Sequence, residues 1–337
     1  MIITDMLSLI GHIYGRVADL RNRLYDRGIL ESFDLGARTI SIGNITTGGT
    51  GKTPLVAYVA NLLADGGEKV CILTRGYGRK DPSKRVLVSD GNEILATPEE
   101  SGDEPFELAK KLPGKAIIIA DADRVAAAEW AIRKFGVTTF VLDDGFQHRR
   151  AKRDVDIVCI DATEPFGRRQ MLPAGRLREP IENLRRSDVV VISRADLASI
   201  DNLRFEIADL NPDIPIFTTM NRISRVLSLR SDLDGSVDVE SRRALAFCGL
   251  GNPENFYALL RRDGFAVTET RSFRDHHIYS QADVKVLEGL AKDCRAEIFL
   301  TTAKDAVKLS AVEFELPCYV VEIDIEINDP AAFAQIL

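Results

Sequence analysis

The stretch that most restricts the fold is Ser41 to Val56, "SIGNITTGGTGKTPLV". An apolar run, "ARTISIGN", feeds a glycine-rich loop that opens into the helical pattern "KTPLVAYVANLLADGG". Pro54 sits in the first turn of that helix, and Gly66-Gly67 close it. Strand, glycine loop and helix in this order form a phosphate-gripping unit of the type G-x-x-x-x-G-K-[ST]. The match is incomplete: Gly51, Lys52 and Thr53 supply its end, while Thr46 stands where the first glycine belongs. Gly48, Gly49 and Gly51 let backbone N–H groups approach phosphate oxygens at a helix N-terminus, where the dipole favours anions. Thr46, Thr47, Gly48, Gly49, Thr50, Gly51, Lys52 and Thr53 are therefore the expected nucleotide site. Lys52 would reach the β- and γ-phosphates, and the Thr53 hydroxyl would meet Mg²⁺. Thr47 stands where some sheet ATPases carry a second lysine, which argues against that branch.

Beyond the loop, "EKVCILTRG", "KAIIIAD", "TTFVLDDG", "VDIVCID" and "SDVVVISRAD" are short runs rich in Val and Ile, with helical stretches such as "RVAAAEWAIRKFG" between several of them. The alternation predicts an α/β fold: a P-loop NTPase-type, mostly parallel sheet with helices on both faces. Functional residues should then gather at the C-terminal ends of the strands. Near Thr218 the pattern changes to an extended ribbon with an Asp-Gly turn (Asp234-Gly235), and "ALAFCGLGNPENFYALLRRDGF" then starts a second alternation. The expected organisation is an N-terminal helix over 1–28, a P-loop core over 29–217, a hinge ribbon over 218–241 and a smaller α/β domain over 242–337.

Residues 1–28 place Met6, Ile10, Ile13, Val17, Leu20 and Leu24 on one helical face, with arginines toward the C-terminal half. Such a helix packs on its own domain or lies on a membrane surface. No apolar run reaches the ~18 residues needed to cross a bilayer. The net charge of -7 argues against nucleic acid as the main partner, and nothing in the sequence calls for an obligate protein partner. Cys71, Cys159, Cys248, Cys294 and Cys318 are odd in number and widely spaced, which fits reduced thiols and neither a disulfide framework nor a zinc site.

Several segments carry candidate chemistry. In "FVLDDGFQHRR" an apolar strand delivers Asp143 and Asp144, the way a Mg²⁺-binding carboxylate reaches a phosphate site. Adjacent aspartates repel, so a cation near them is expected; Gln147 and His148 follow closely enough to line the same pocket. "ESGDEPFELAKKL" offers Asp103 and Glu104, either as ordinary acids at a helix N-terminus or as a base for an acceptor hydroxyl. By spacing alone the first reading is the simpler. "FRDHHIY" carries His276 and His277, solvated loop residues or partners of a carboxylate. "LPAGRLREP" sets Arg176 and Arg178 in a loop suited to clamping phosphate, or merely exposed. "SRAD", Ser193 to Asp196, is a weak version of the base-reading motif of GTPases.

Taken in order, "GNITTGGTGKTP", "TRGYGR", "GDEP", "DDGFQH", "LPAGRLREP", "FCGLGNPENF", "FRDHH" and "TAKDAVK" resemble the tetraacyldisaccharide 4'-kinases, the lipid A 4'-kinases of Gram-negative bacteria. The resemblance runs from the N-terminal helix to about Leu309, and that family's loop is itself irregular at the position of Thr46. It implies that ATP gives its γ-phosphate to the 4'-hydroxyl of a tetraacylated glucosamine disaccharide 1-phosphate, with Mg²⁺ as cofactor. It further implies catalytic roles for Lys52, Asp144, Asp103 as general base and His276, or else His277, as the partner of that base. Thr53, Asp143, Asp144 and Gln147 fall to the metal, and Arg124, His148, Arg178 and Glu179 to substrate or phosphate. A base and partner drawn from two domains would couple chemistry to closure. An acylated substrate does not leave the membrane cheaply, at ~0.8 kcal/mol per CH₂. The resemblance therefore implies a peripheral enzyme at the cytoplasmic face of the inner membrane, with the N-terminal helix docking there. The competing class, a P-loop GTPase or metallochaperone switch, needs an aspartate where Leu142 stands.

Overall fold

In the computed structural model, which describes residues 2–230, 239–275 and 277–337, the Val/Ile-rich runs are strands buried on both faces. Helix α1 (Ile2–Asp26) comes first, then β1 (Arg38–Gly43), and the glycine loop leads into α2 (Lys52–Asp65). There follow β2 (Val70–Thr74), β3 (Val86–Ser89), α3 (Pro98–Ser101), α4 (Asp103–Lys111), β4 (Ala116–Ala120) and α5 (Arg124–Phe135). Next come β5 (Thr139–Asp143), β6 (Val155–Asp161), β7 (Val189–Ser193), α6 (Asp201–Leu210) and β8 (Ile216–Ser228). The strand order is β8-β7-β6-β1-β5-β2-β4-β3, parallel throughout except for the antiparallel edge strand β3. This is the mostly parallel α/β sheet that the strand–helix alternation predicts. The chain crosses from one side of β1 to the other after β5, so the ends of β1, β5 and β6 mark the switch point where such sheets bind ligands.

The chain forms two compact units, Met1–Met220 with Glu326–Leu337, and Asn221–Ile325. The second contains β9 (Ala244–Cys248), α7 (Pro253–Arg262), β10 (Val267–Ser272), α8 (Gln281–Cys294), β11 (Ile298–Thr302), α9 (Ala303–Ala306) and most of β12 (Cys318–Ile327). Its strands run parallel in the order β10-β9-β11-β12 around Phe247, whose ring meets those of Phe273, Tyr279, Phe299 and Phe314. The second strand–helix alternation assigns all of 242–337 to the smaller domain. In the structure α10 (Pro330–Ile336) packs with the first unit, its Phe333 ring 5.1 Å from Phe217 and 6.2 Å from Tyr58. Of the ribbon over 218–241, β8 supplies the extended part, and the Asp-Gly turn lies outside the described residues. Cys71, Cys159, Cys248 and Cys318 are buried and Cys294 is half-buried, all as free thiols.

The α1 helix packs by its small residues and leaves its apolar stripe outside. A Cβ at Gly11 would lie 3.0 Å from the Met171 carbonyl oxygen, and one at Gly15 3.1 Å from Met171 Cγ. Only glycine lets the helix approach that closely. On the other side Ile13, Val17 and Leu20 are 57%, 59% and 57% exposed, and Met6, Leu9 and Ile10 are exposed with them. Leu24, at the end of the stripe, is partly covered. Among the described residues no helix is long and apolar enough to cross a membrane.

Candidate active site

Parallel pairing sets the glycine loop beside the aspartate turn. Ile42 of β1 lies opposite Asp143 of β5, so one residue further along Gly43 enters the loop where Asp144 enters "DDGFQH". Thr46 forms an antiparallel bridge to Leu177, an extended conformation that asks for no glycine. That removes the apparent defect in the motif. Gly48, by contrast, has φ +108°, and a Cβ there would fall 1.7 Å from Arg176 Nη2. The "LPAGRLREP" segment is thus part of the loop's frame: Arg176 donates from Nε to the Thr47 carbonyl at 2.9 Å, while Thr47 N–H donates to the Arg176 carbonyl at 2.7 Å. Two residues on, Arg178 N–H donates to the Ile45 carbonyl at 2.7 Å.

Asp144 sits at φ +52°, a left-handed turn conformation that Asp tolerates better than most residues. Its carboxylate accepts from Arg178 Nη1 at 2.8 and 2.7 Å, and Lys52 Nζ lies 3.5 Å away. Burial alone would push the Asp144 carboxyl up, but Lys52 and Arg178 bring it down to about 2. Asp143 behaves oppositely. Burial, then the charges of Glu104 and Asp144, raise its carboxyl, against Lys52 and a 2.8 Å hydrogen bond from Thr74 Oγ1. One aspartate is thus committed to cations, and its neighbour lacks the positive charge it needs.

Arg124 lies behind the pair. Its guanidinium is buried and donates to the Asp143 carbonyl at 2.7 Å and the Asp144 carbonyl at 3.2 Å, which fixes the turn's backbone. Gln147 donates from Nε2 to the Asn44 carbonyl at 2.8 Å and to Glu179 at 2.9 Å, and its Oε1 accepts from Arg178 at 3.3 Å. Glu179, 2% exposed, also accepts from Arg186 at 2.8 Å, Asn22 at 2.6 Å and Asn183 at 3.1 Å. Burial, then the charges of Arg124, Arg153, Arg150 and Arg21, press the His148 imidazole down to about 3, so it is neutral at working pH. Asp103 opens α4, half-buried behind Gly102, and the raised Asp143 carboxyl registers its neighbour Glu104. In the second unit His277 stacks on Phe273 at 4.7 Å, its Nε2 3.3 Å from Asp283. His276 lies outside the described residues.

The first unit therefore brings together the loop residues Thr46 to Thr53 with Asp143, Asp144, Gln147, Arg178, Glu179 and Arg124. Thr74 and Asn22 join the same network without any local pattern to announce them. Each is polar and buried, and each acts only through a residue distant in sequence. For Mg²⁺, the Thr53 hydroxyl and the two aspartates match the usual donor set of one or two carboxylates completed by phosphate oxygens and water. A raised, cation-poor Asp143 beside the loop fits that ion.

The whole chain is similar to known proteins. The family model for tetraacyldisaccharide-1-P 4'-kinase matches residues 3–337. The tetraacyldisaccharide 4'-kinase of Halothermothrix orenii is 38% identical, over 100% of this chain and 92% of its own. That of Geobacter metallireducens is 37% identical, over 98% and 96%. A crystal structure of LpxK from Aquifex aeolicus in complex with ATP aligns at TM-score 0.79 and 32% identity, over 99% of this chain and 98% of that one.

Proposed function

Because this chain belongs to the tetraacyldisaccharide-1-phosphate 4'-kinase family, we propose that the site just described carries out that family's reaction at a membrane surface. The chain is an ATP-dependent kinase: the γ-phosphate passes to the 4'-hydroxyl of a tetraacyldisaccharide 1-phosphate, giving the 4'-phosphorylated lipid A precursor. The observation that carries the site assignment is Lys52 Nζ standing 3.5 Å from Asp144, where loop lysine and aspartate turn converge.

In this reading the loop amides and Lys52 hold the β- and γ-phosphates, and Thr53, Asp143 and Asp144 hold Mg²⁺, with Gln147 beside them. Bound there, the ion would neutralise charge on the phosphoryl oxygens. Asp103 accepts the proton of the 4'-hydroxyl, because a sugar hydroxyl is a poor nucleophile until its proton has somewhere to go. Arg178 steers Asp144 and presents its fork toward phosphate. Arg124 and Glu179 keep the aspartate turn and Gln147 in place, and His148 offers a neutral imidazole to the sugar. Transfer of ³²P from γ-labelled ATP to detergent-dispersed tetraacyldisaccharide 1-phosphate, with a soluble sugar as control, tests the reading. Label in the lipid alone is expected; GTP hydrolysis with no label in the lipid would overturn it.

The exposed stripe on α1 supports docking on the bilayer. Replacing Ile13 and Val17 together by glutamate is expected to lower sedimentation with anionic vesicles by about tenfold, from lost apolar burial and added repulsion. Because both side chains face solvent, the melting temperature should hold. Unchanged vesicle binding would remove α1 from that role.

A further inference from the structure

The "SRAD" segment, weak as a base-reading motif, closes on the phosphate loop instead. It follows β7, next to β6, which is itself next to β1. Arg194 Nη1 donates to the Gly49 carbonyl at 2.9 Å and to Asp161 Oδ2 at 2.5 Å. Ser193 Oγ donates to the Thr50 carbonyl at 2.8 Å, and the Cys159 thiol reaches the same oxygen at 2.9 Å. With Arg176 on the Thr47 carbonyl, the loop's carbonyls at Thr47, Gly49 and Thr50 are all held by side chains from β6, from the end of β7 and the residue after it, and from the 176–178 segment. In a trans peptide the C=O and N–H point opposite ways. Pinning the Thr47 and Thr50 carbonyls therefore aims the Gly48 and Gly51 amides to the other side, as an anion-binding nest requires. Pinning Gly49 closes the turn in which Thr50 N–H donates to the Gly48 carbonyl at 3.0 Å.

Arg194 holds this position against its own backbone. Its φ of +57° is left-handed, a region a residue with Cβ enters at a cost. Strain of this kind persists where surrounding contacts over-determine it, and here the double grip on Gly49 and Asp161 does so. Asp161 is buried and pre-set, its other oxygen accepting from Thr163 N–H at 3.0 Å and Thr163 Oγ1 at 2.8 Å.

We propose that Arg194, oriented by Asp161, is a positioning residue for the phosphate loop, setting its amides for the polyphosphate before nucleotide arrives. The inference rests on the loop being the ATP site. Its test is equilibrium binding of Mg·ATP by titration calorimetry, which needs no turnover, alongside KM for ATP and for the lipid. Arg194→Gly relaxes the backbone and removes the grip. It is expected to weaken ATP binding at least tenfold and raise the ATP KM in parallel, with lipid KM unchanged. Arg194→Lys keeps the charge but not the planar fork, and should lose about threefold. Asp161→Asn should fall between, and these two variants decide the matter if the glycine variant does not fold. ATP affinity within twofold of wild type in the variants that fold would overturn the proposal, as would equal rises in both KM values. Wild-type protein that binds ATP yet labels no lipid would sink the kinase reading and leave Arg194's role to be decided by calorimetry.

Discussion

Lys52→Ala is expected to lower kcat by about 10²–10³-fold, the scale seen when one preorganised donor is removed from developing transition-state charge. The ammonium stands at the first turn of α2 and reaches toward Asp144, 3.5 Å away, its side chain 14% exposed. No other lysine is paired with that carboxylate among the described residues, and Arg178 already spends Nη1 on both its oxygens. Lys52→Arg should not restore the rate, because a planar fork cannot occupy the place of a compact ammonium at the loop's mouth. Stability should change little: the ion pair is partly open to solvent, where such pairs contribute ~1 kcal/mol or less. The measurement is single-turnover ³²P transfer at saturating ATP, with a thermal melt as control. A rate within tenfold of wild type would mean that the charge on the γ-phosphate is met elsewhere.

How much of this was legible in the chain divides along the range of the contacts. β1, β5, β6 and β7 announce themselves because a strand buried on both faces must be apolar throughout, whereas their order in the sheet is set by pairings between residues far apart in the chain. The loop and "DDGFQH" are legible for a related reason: each motif packs its chemistry into consecutive residues. Thr46 is not, because what excuses the missing glycine is its bridge to Leu177, far along the chain. Asn22 on Glu179, Thr74 on Asp143 and Arg194 on Gly49 escape for the same reason. The α1 helix shows a different limit. Periodicity finds an apolar face but not which face packs, and here Gly11 and Gly15 make the contact while the stripe stays exposed. The Phe333 helix reads as the end of the second alternation, although its partners are Phe217 and Tyr58.

Asp103→Asn is expected to cut kcat by about 10²–10⁴-fold, the usual span for a general base, with the ATP KM nearly unchanged. The amide is close in size to the carboxylate and leaves the start of α4 intact, so the loss reports proton acceptance and not a displaced helix. As the first residue of α4, Asp103 lies where the helix dipole favours the charged carboxylate, the form a base must have. Asp103→Glu keeps the charge but moves it by about one methylene, and a misplacement of about 1 Å costs on the order of 10²-fold. Glu104 is the control that separates base from bystander. Its charge acts on Asp143, so Glu104→Gln should lower the Asp143 carboxyl toward its ordinary range and alter the Mg²⁺ requirement more than the transfer step. If Glu104→Gln instead matches the kcat loss of Asp103→Asn, or if Asp103→Asn raises the ATP KM while sparing kcat, the proton goes elsewhere. Asp103 would then be an acid at a helix end, as its spacing alone suggests.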